Sequence, residues 1–450
     1  MRSRRSLELL SFVLPLTLYA LTLDWRITTN GMDASILYLQ YSILVHHALT
    51  LPPGSEVVDV SLYQGRVYSA LSPGYAVLSL PFAALGFQLN GWRFTLFGPP
   101  RVMDELFSSL MTSLVSLICF RISSELADER RALLTALALS LSTPLWVYAT
   151  TLIPQSASLP LALAAVYFTL RGEVRRAGLA LGASTFVEYA SSLFLLPLVI
   201  YTWAKGGWRK AAQIPAAFTP GVMGQLVYNY LLFHNPLLFP QEFFQGSPGP
   251  LWGDFSLRAV PFHLLLNLLS PYRGILLTSP LLFLGTLGIR EMFRLDRRAE
   301  AALFLCSSAE VILFYSAWKY WDGGLGYSQR FAALALPLLL IPSCLSWGKA
   351  LRGLAILGST LNSAVAFTSP YPPQGGPLYF QPFSAFPGLL HPDGWIALLT
   401  PHSSPVIYGT YLCLWAWSSL PFLLIRESGR GVKPELREAR ELGEEQTENF

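Results

Sequence analysis

One carboxylate stands in TTNGMDASILYLQYSILVHHALTLPPG, residues 28 to 54, just after the first apolar run. Asp33 there has the chemistry to accept a proton from an attacking hydroxyl. An aspartate at a helix start also satisfies free backbone N–H groups as a cap. The two readings are compatible. A second polar cluster is YSAWKYWDGGLGYSQRFAALALPLLLIP, residues 315 to 342. It combines Lys319, Asp322 and Arg330 with Trp318, Trp321 and Tyr327. Gly323, Gly324 and Gly326 between them indicate close backbone approach. Aromatics with a carboxylate, a lysine and an arginine suit a sugar and a phosphate together. A structural turn with interfacial aromatic anchors is the competing reading. Arg273, just before an apolar run, can hold a phosphate or snorkel to lipid headgroups. Glu188 lies inside an apolar stretch, where an ionisable residue is a functional candidate; a turn residue facing headgroups is the alternative. The six histidines share no ligand spacing, and the adjacent His46 and His47 point in different directions on a helix. A divalent metal is therefore unsupported by spacing.

These residues need a scaffold, and composition says which kind. The chain has 450 residues, is 52% hydrophobic, only 13% charged, and has a mean hydropathy of +0.44. That is too little charge for a soluble surface, and long apolar runs recur from residue 9 to 425. An all-α polytopic membrane protein follows. Candidate crossings are 8–25, 103–120, 132–149, 156–170, 177–188, 190–204, 211–232, 274–289, 300–317, 330–346, 351–368 and 404–425. The start, MRSRRSLELLSFVLPLTLYALTL, resembles a signal peptide in charge pattern but lacks a small-residue cleavage site, so it reads as an uncleaved first helix.

Charge placement gives an orientation. Of 31 Arg/Lys, eight (Arg26, Arg66, Arg93, Arg101, Arg258, Arg273, Lys319, Arg330) fall in one set of loops, leaving 23 in the other. The positive-inside pattern puts the 23 in the cytoplasm, with about twelve crossings of the cell membrane and both termini cytoplasmic. The segment 72–87, broken by Pro73 and Pro81, fits an interfacial or re-entrant piece better than a crossing. The stretch 177–203 is long for one helix and short for two; basic loops on both sides favour a hairpin turning near Glu188. Residues 1–425 form the transmembrane domain, with outer loops at about 26–102, 233–273, 318–329 and 369–403. Residues 426–450 form a charged cytoplasmic tail. In the first loop, Ile36, Leu37, Leu39, Ile43 and Leu44 suggest an amphipathic helix along the membrane surface. The net charge of +4 is membrane topology; no basic stripe interleaves with aromatics, so no nucleic-acid partner is expected. The four cysteines all lie in apolar segments, which argues against disulfides.

The ordered set TTNGMDASILYL, GRVYSALSPGYAVLSLP, YNYLLFHNPL, SPYRGILLTSPLLFLGTLGI and WKYWDGGLGYSQRFAALALPLL resembles the C-type (GT-C) membrane glycosyltransferases, nearest the protein mannosyltransferase-like and RgtA/B/C/D-like groups. The resemblance covers roughly residues 8 to 345. It implies a helical bundle with surface helices in the first outer loop. It implies transfer of a sugar from a polyprenyl- or dolichyl-phosphate carrier to an acceptor at the outer face. By position Asp33 would be the base, and Arg330, Arg273 or Lys319 would hold phosphate, with Asp322, Trp321 and Tyr68 in the substrate set. Two departures are visible. The loop after the third helix, TTLIPQS, has Gln155 where many relatives carry an acidic residue or histidine, and YSALSPG has no Lys or His before its proline.

The expected partners are a lipid-linked sugar donor, membrane lipid, and a glycan, lipid or protein acceptor. Two other function classes fit such a chain: a lipid-linked glycan flippase or other transporter, and a non-catalytic relative that binds lipid-linked sugar. A transporter calls for charged groups lining several crossings at mid-depth. An enzyme calls for Asp33, Arg330 and Arg273 to converge.

Overall fold

A computed structural model describes residues 2–23, 31–52, 54–55, 59–246, 248–324, 326–368 and 404–425. The loop 369–403 and the tail 426–450 lie outside the described residues. Helix α1 (Arg2–Leu21) leads to α2 (Gly31–Tyr41), which continues into a π-helical turn at Ser42–His46. A two-stranded antiparallel hairpin follows, β1 (Val60–Tyr63) and β2 (Arg66–Ser69), with Val60 opposite Ser69. Its turn, Gln64-Gly65, has positive φ at both residues (47° and 73°), the conformation that matches strand twist in a two-residue hairpin. Hydropathy marks this stretch only as loop; the alternation in VSLY-QG-RVYS is the signal it carries for strands.

Two short helices come next, α3 (Gly74–Leu78) and α4 (Leu80–Leu89), meeting at Ser79. This is the proline-broken segment expected to be interfacial. Leu85 and Leu89 of α4 are exposed, giving it an apolar outer side. By contrast α2 is buried nearly all round, at Gly31 to Leu37, Leu39 and Gln40, and does not lie along a surface by one face as its periodicity suggests. The hairpin, α3 and α4 cover it.

The long α5 (Pro99–Leu126) runs the length of the bundle, beginning on prolines whose missing N–H costs nothing at a helix start. After it the chain passes through α6 (Glu129–Leu141), capped by the Asp128 carboxylate on the N–H groups of Arg130 and Arg131, then the short α7 (Leu145–Ala149). Next are α8 (Pro154–Leu170) and α9 (Val174–Val187). A 3-10 turn, Tyr189–Phe194, joins α9 to α10 (Leu195–Gly206), and α11 (Trp208–Ala211) leads into α12 (Gln213–Phe233). The stretch 177–203 is thus two helices hinged at Glu188, as the flanking charges suggest. Where α9 crosses α12 there is no room for side chains: a Cβ on Gly221 would sit 2.0 Å from the Gly182 carbonyl oxygen. Small residues let helices approach this closely where lipid leaves little hydrophobic drive between them.

The remaining helices are α13 (Val260–Leu269), α14 (Ile275–Thr278), α15 (Leu282–Gly285), α16 (Leu287–Arg294), α17 (Arg298–Ala317), α18 (Leu336–Leu340), α19 (Lys349–Thr368) and α20 (Ser404–Leu424). Among the described residues, Pro99–Leu126, Arg298–Ala317 and Lys349–Thr368 are each long and apolar enough alone to cross a membrane. Several other expected crossings are composites. Residues 132–149 break at Pro144, and 330–346 run as 3-10, α and 3-10 pieces over Arg330–Leu345. Proline removes a helical donor and clashes with the preceding turn, so hydropathy persists where helix geometry does not. The bundle's periphery exposes large apolar side chains, among them Leu9, Leu179, Ile200, Val227, Leu313, Leu357 and Leu412, as a lipid-facing surface does.

Candidate active site

Asp33 is the third residue of α2 and is 1% exposed. Its Oδ2 lies 3.2 Å from Nη2 of Arg101, on the first turn of α5. One turn on, Glu105 Oε1 accepts from Arg101 Nε at 2.8 Å; arginine and glutamate are both fully buried. The i,i+4 spacing puts the two on one face of α5. Asp104 belongs to the same neighbourhood: its Oδ1 accepts from Gln40 Nε2 at 3.0 Å, and that nitrogen also reaches Ser79 Oγ at 2.7 Å. Ser79 is the break between α3 and α4. Tyr75 on α3 bonds Ser108 Oγ at 2.7 Å, and Ser156 on α8 donates to the same oxygen at 3.1 Å. A polar seam therefore ties α2, α3, α5 and α8 together at one end of the bundle, hereafter the Asp33 end. Sequence reasoning misses Arg101, Asp104 and Glu105 as site residues. Their signal is nonetheless there, since an arginine and two carboxylates flank the start of the crossing at 103–120.

The glycine segment 323–326 comes to the same end. Arg330 donates from Nε to the Gly323 carbonyl at 2.6 Å, and its Nη1 lies 2.8 Å from Met32 Sδ, one residue from Asp33. Its guanidinium carbon sits 4.7 Å from the Phe331 ring centre. Arg330 is half-buried, and its Nη2 makes no hydrogen bond among the described residues. Gly323 and Gly324 need glycine, with φ of 74° and 64°, and a Cβ on Gly326 would meet Arg330 Cδ at 2.6 Å. Arg273 is spent differently. It is fully buried, and Nη1 and Nη2 donate to the carbonyls of Gly326 and Gly324; Nη2 also meets Tyr272 Oη at 2.8 Å. Burial pulls its guanidinium below the ordinary range, while Tyr272 and Asp322 oppose that. The two arginines thus shape one loop, and of the two Arg330 presents the more accessible guanidinium. Asp59, beside β1, is also within electrostatic reach: burial pushes its carboxyl up and Arg330 pulls it back.

Glu188 closes the α9–α10 hairpin at this end. Gln155 Nε2 donates to it at 2.7 Å, Ser158 Oγ at 2.8 Å and Tyr315 Oη at 3.1 Å. The Tyr315 ring stacks on Phe331, centroids 4.4 Å apart and 8° from parallel. So Gln155, notable in the sequence for standing where an acidic residue is common, has a buried carboxylate as its direct partner.

The other candidates fall outside this group. Asp322 Oδ1 accepts from the Gly324 N–H at 3.3 Å and serves the glycine turn. Trp321 stacks on His263, centroids 5.1 Å apart, and Lys319 Nζ lies 3.7 Å from Asp254 Oδ1. Tyr68 packs with Tyr228, Leu232 and Phe233 in a small aromatic core under the β-hairpin. Among the described residues, no three His, Cys, Asp or Glu side chains converge as a ligand set for a metal ion.

This geometry can be set beside known proteins. The sequence profile of the dolichyl-phosphate-mannose-protein mannosyltransferase family matches residues 91–230. That stretch holds Arg101, Glu105, Gln155 and Glu188 and leaves out Asp33 and Arg330. No curated protein sequence matches the chain. Among solved structures, ArnT from Cupriavidus metallidurans bound to undecaprenyl phosphate is similar, with a TM-score of 0.56, 16% identity, and 92% of this chain and 76% of that one covered. The same ArnT in the apo state gives 0.55, 15%, 93% and 75%. The fold is therefore that of the C-type membrane glycosyltransferases, as the order of sequence segments implies.

Proposed function

We propose that this chain transfers a sugar from a polyprenyl-phosphate-linked donor to an acceptor hydroxyl at the outer membrane face, Asp33 acting as base and Arg330 holding the donor phosphate. The observation that carries the reading is the convergence of Asp33, paired to Arg101, with Arg330 across Met32. The acceptor oxygen forms a bond to the anomeric carbon as the bond from that carbon to the phosphate oxygen breaks. The electron pair leaves with the carrier phosphate, and the hydroxyl proton passes to Asp33. One carboxylate suffices for such an inverting displacement, unlike the pair of a retaining enzyme. Arg101 fixes the position of the Asp33 carboxylate from one side, at 3.2 Å. Glu105 in turn orients Arg101. The Arg330 guanidinium stabilises charge growing on the leaving phosphate. Arg273 holds the loop that carries Arg330 in register. The charge count supports an outer position for the Asp33 end, and undecaprenyl phosphate bound to a protein of this fold supports a polyprenyl-phosphate donor.

The buried charges of α5 would also suit a transporter. They sit within its first two turns, at one end of the bundle and not at mid-depth, which favours the enzyme. The test is incubation of the purified chain with polyprenyl phosphates bearing mannose, glucose or arabinose, reading released carrier phosphate. Turnover of at least one is expected; none across the panel would contradict the proposal.

A further inference from the structure

We infer that the cleft between the loop at Gly253–Ser256, α13 and the end of α17 is a saccharide-binding subsite. Its assignment to the acceptor rests on the transferase reading. The cleft measures about 420 Å³, inside the roughly 300–1,000 Å³ span of small-molecule pockets. Gly253, Asp254, Ser256, His263, Ala317 and Lys319 line it. Its walls are pinned by backbone bonds: Ser256 N–H to the Ala317 carbonyl at 2.8 Å, Lys319 N–H to the Asp254 carbonyl at 2.8 Å, and a bridge between Phe255 and Trp318. These bonds tie the Gly253–Ser256 loop to the end of α17.

The polar groups select the ligand. His263 Nδ1 lies 3.0 Å from the Ser316 carbonyl oxygen. A carbonyl only accepts, so Nδ1 carries the proton, and in the neutral ring Nε2 is left as an acceptor. Trp321 stacks on one imidazole face and fixes the ring plane. Asp254 accepts hydrogen bonds, and Lys319 donates. Acceptors and a donor lining one cleft match the hydroxyls of a sugar, each of which donates and accepts. An anion fits less well, because Asp254 lies 3.7 Å from the Lys319 ammonium and offsets it. The site also stands next to the proposed chemistry: Gln329, beside Arg330, donates to the Trp321 carbonyl and to Asn267 Oδ1 on α13. Helix α13 turns Phe262, Leu265 and Leu269 outward. Such an apolar edge suits the bilayer interface, so the saccharide is one presented at the membrane surface.

The test uses the purified full chain in nanodiscs and saturation-transfer NMR with methyl mannoside, methyl glucoside, methyl galactoside and, as competitor, inorganic phosphate. At least one glycoside should bind, and phosphate should not displace it. Asp254→Asn, which keeps the side-chain shape, and His263→Ala should each weaken binding about fivefold or more while the chain still melts cooperatively. No glycoside signal from folded wild-type protein, displacement by phosphate, or unchanged binding in Asp254→Asn overturns the subsite. Binding is read without turnover, so a chain that binds glycosides and transfers nothing counts against the transferase reading alone. A chain that transfers sugar with an acceptor KM unmoved by Asp254→Asn counts against the subsite alone.

Discussion

The two ends of the bundle treat charge in opposite ways. At the Asp33 end one ion-paired set is buried, Asp33, Arg101 and Glu105 being 1%, 0% and 0% exposed, while Lys319–Asp254 nearby stays open at 55% and 26%. At the other end most pairs are open to solvent or headgroups, although the Glu300 carboxylate that meets Lys205 and Arg297 is itself buried. Arg121 and Glu8, 2.6 Å apart, keep 43% and 25% of their side-chain surface, and Glu125–Arg171 and Glu173–Arg176 are likewise exposed. Exposed pairs contribute about 0–1 kcal/mol each. A buried set costs several kcal/mol per ion in desolvation, and mutual attraction with added hydrogen bonds only offsets it. Stability alone therefore gives no reason to bury three charges beside α2. The exposed pairs sit among arginine-rich segments. The buried set orients a carboxylate.

That contrast can be broken from either side. Arg101→Met should be the most damaging single change to folding, because it removes the buried cation that faces both Asp33 and Glu105. A loss of about 3–5 kcal/mol is expected, read as collapse of the thermal transition or of monodisperse protein on size exclusion. Replacing all three charges with apolar residues of like volume should recover much of that stability without recovering activity. Arg330→Ala should lower the affinity for the donor, not the fold. A charge-assisted contact to phosphate is worth about 1.5–3 kcal/mol, so the donor KM should rise roughly 10- to 100-fold. Asp59 gives a smaller, pH-dependent effect. Its carboxyl is raised by burial, so its contribution is fully present below the ordinary carboxylate range and lost as pH rises through the raised value. Asp59→Asn should remove that slope and leave the chain slightly more stable at neutral pH in thermal melts. Least of all, Arg121→Ala at the opposite end should cost about 1 kcal/mol or less and leave transfer unchanged.

Much of this architecture is legible in the amino-acid sequence. Asp33, Arg330 and the hairpin at Glu188 follow from residue type, segment order and loop charge. The buried arginine clamp does not, because Arg101 reads as a loop cation when hydropathy alone sets the helix start at residue 103. The actual helix begins two residues earlier than Arg101, at Pro99, and the i,i+4 pair with Glu105 follows from that. Arg273 and Arg330 look equivalent in sequence. Only the fold separates Arg273, fully buried on the Gly324 and Gly326 carbonyls, from Arg330, half-buried and reaching Met32. Tyr68 and Trp321 show the same limit. An aromatic side chain near a polar segment has no marked destination, and here one fills a small core and the other buttresses a histidine. Hydropathy also cannot tell an α-helical crossing from one built of 3-10 turns around prolines.

The central claim is that the buried carboxylate at the start of α2 is there for chemistry. Its most direct test is Asp33→Asn, purified as the full chain and assayed with the labelled polyprenyl-phosphate sugar that the wild type turns over best. A fall of about 10²- to 10⁴-fold in transfer is expected, with a thermal transition that stays cooperative. Turnover at the wild-type rate by folded Asp33→Asn protein would contradict the account.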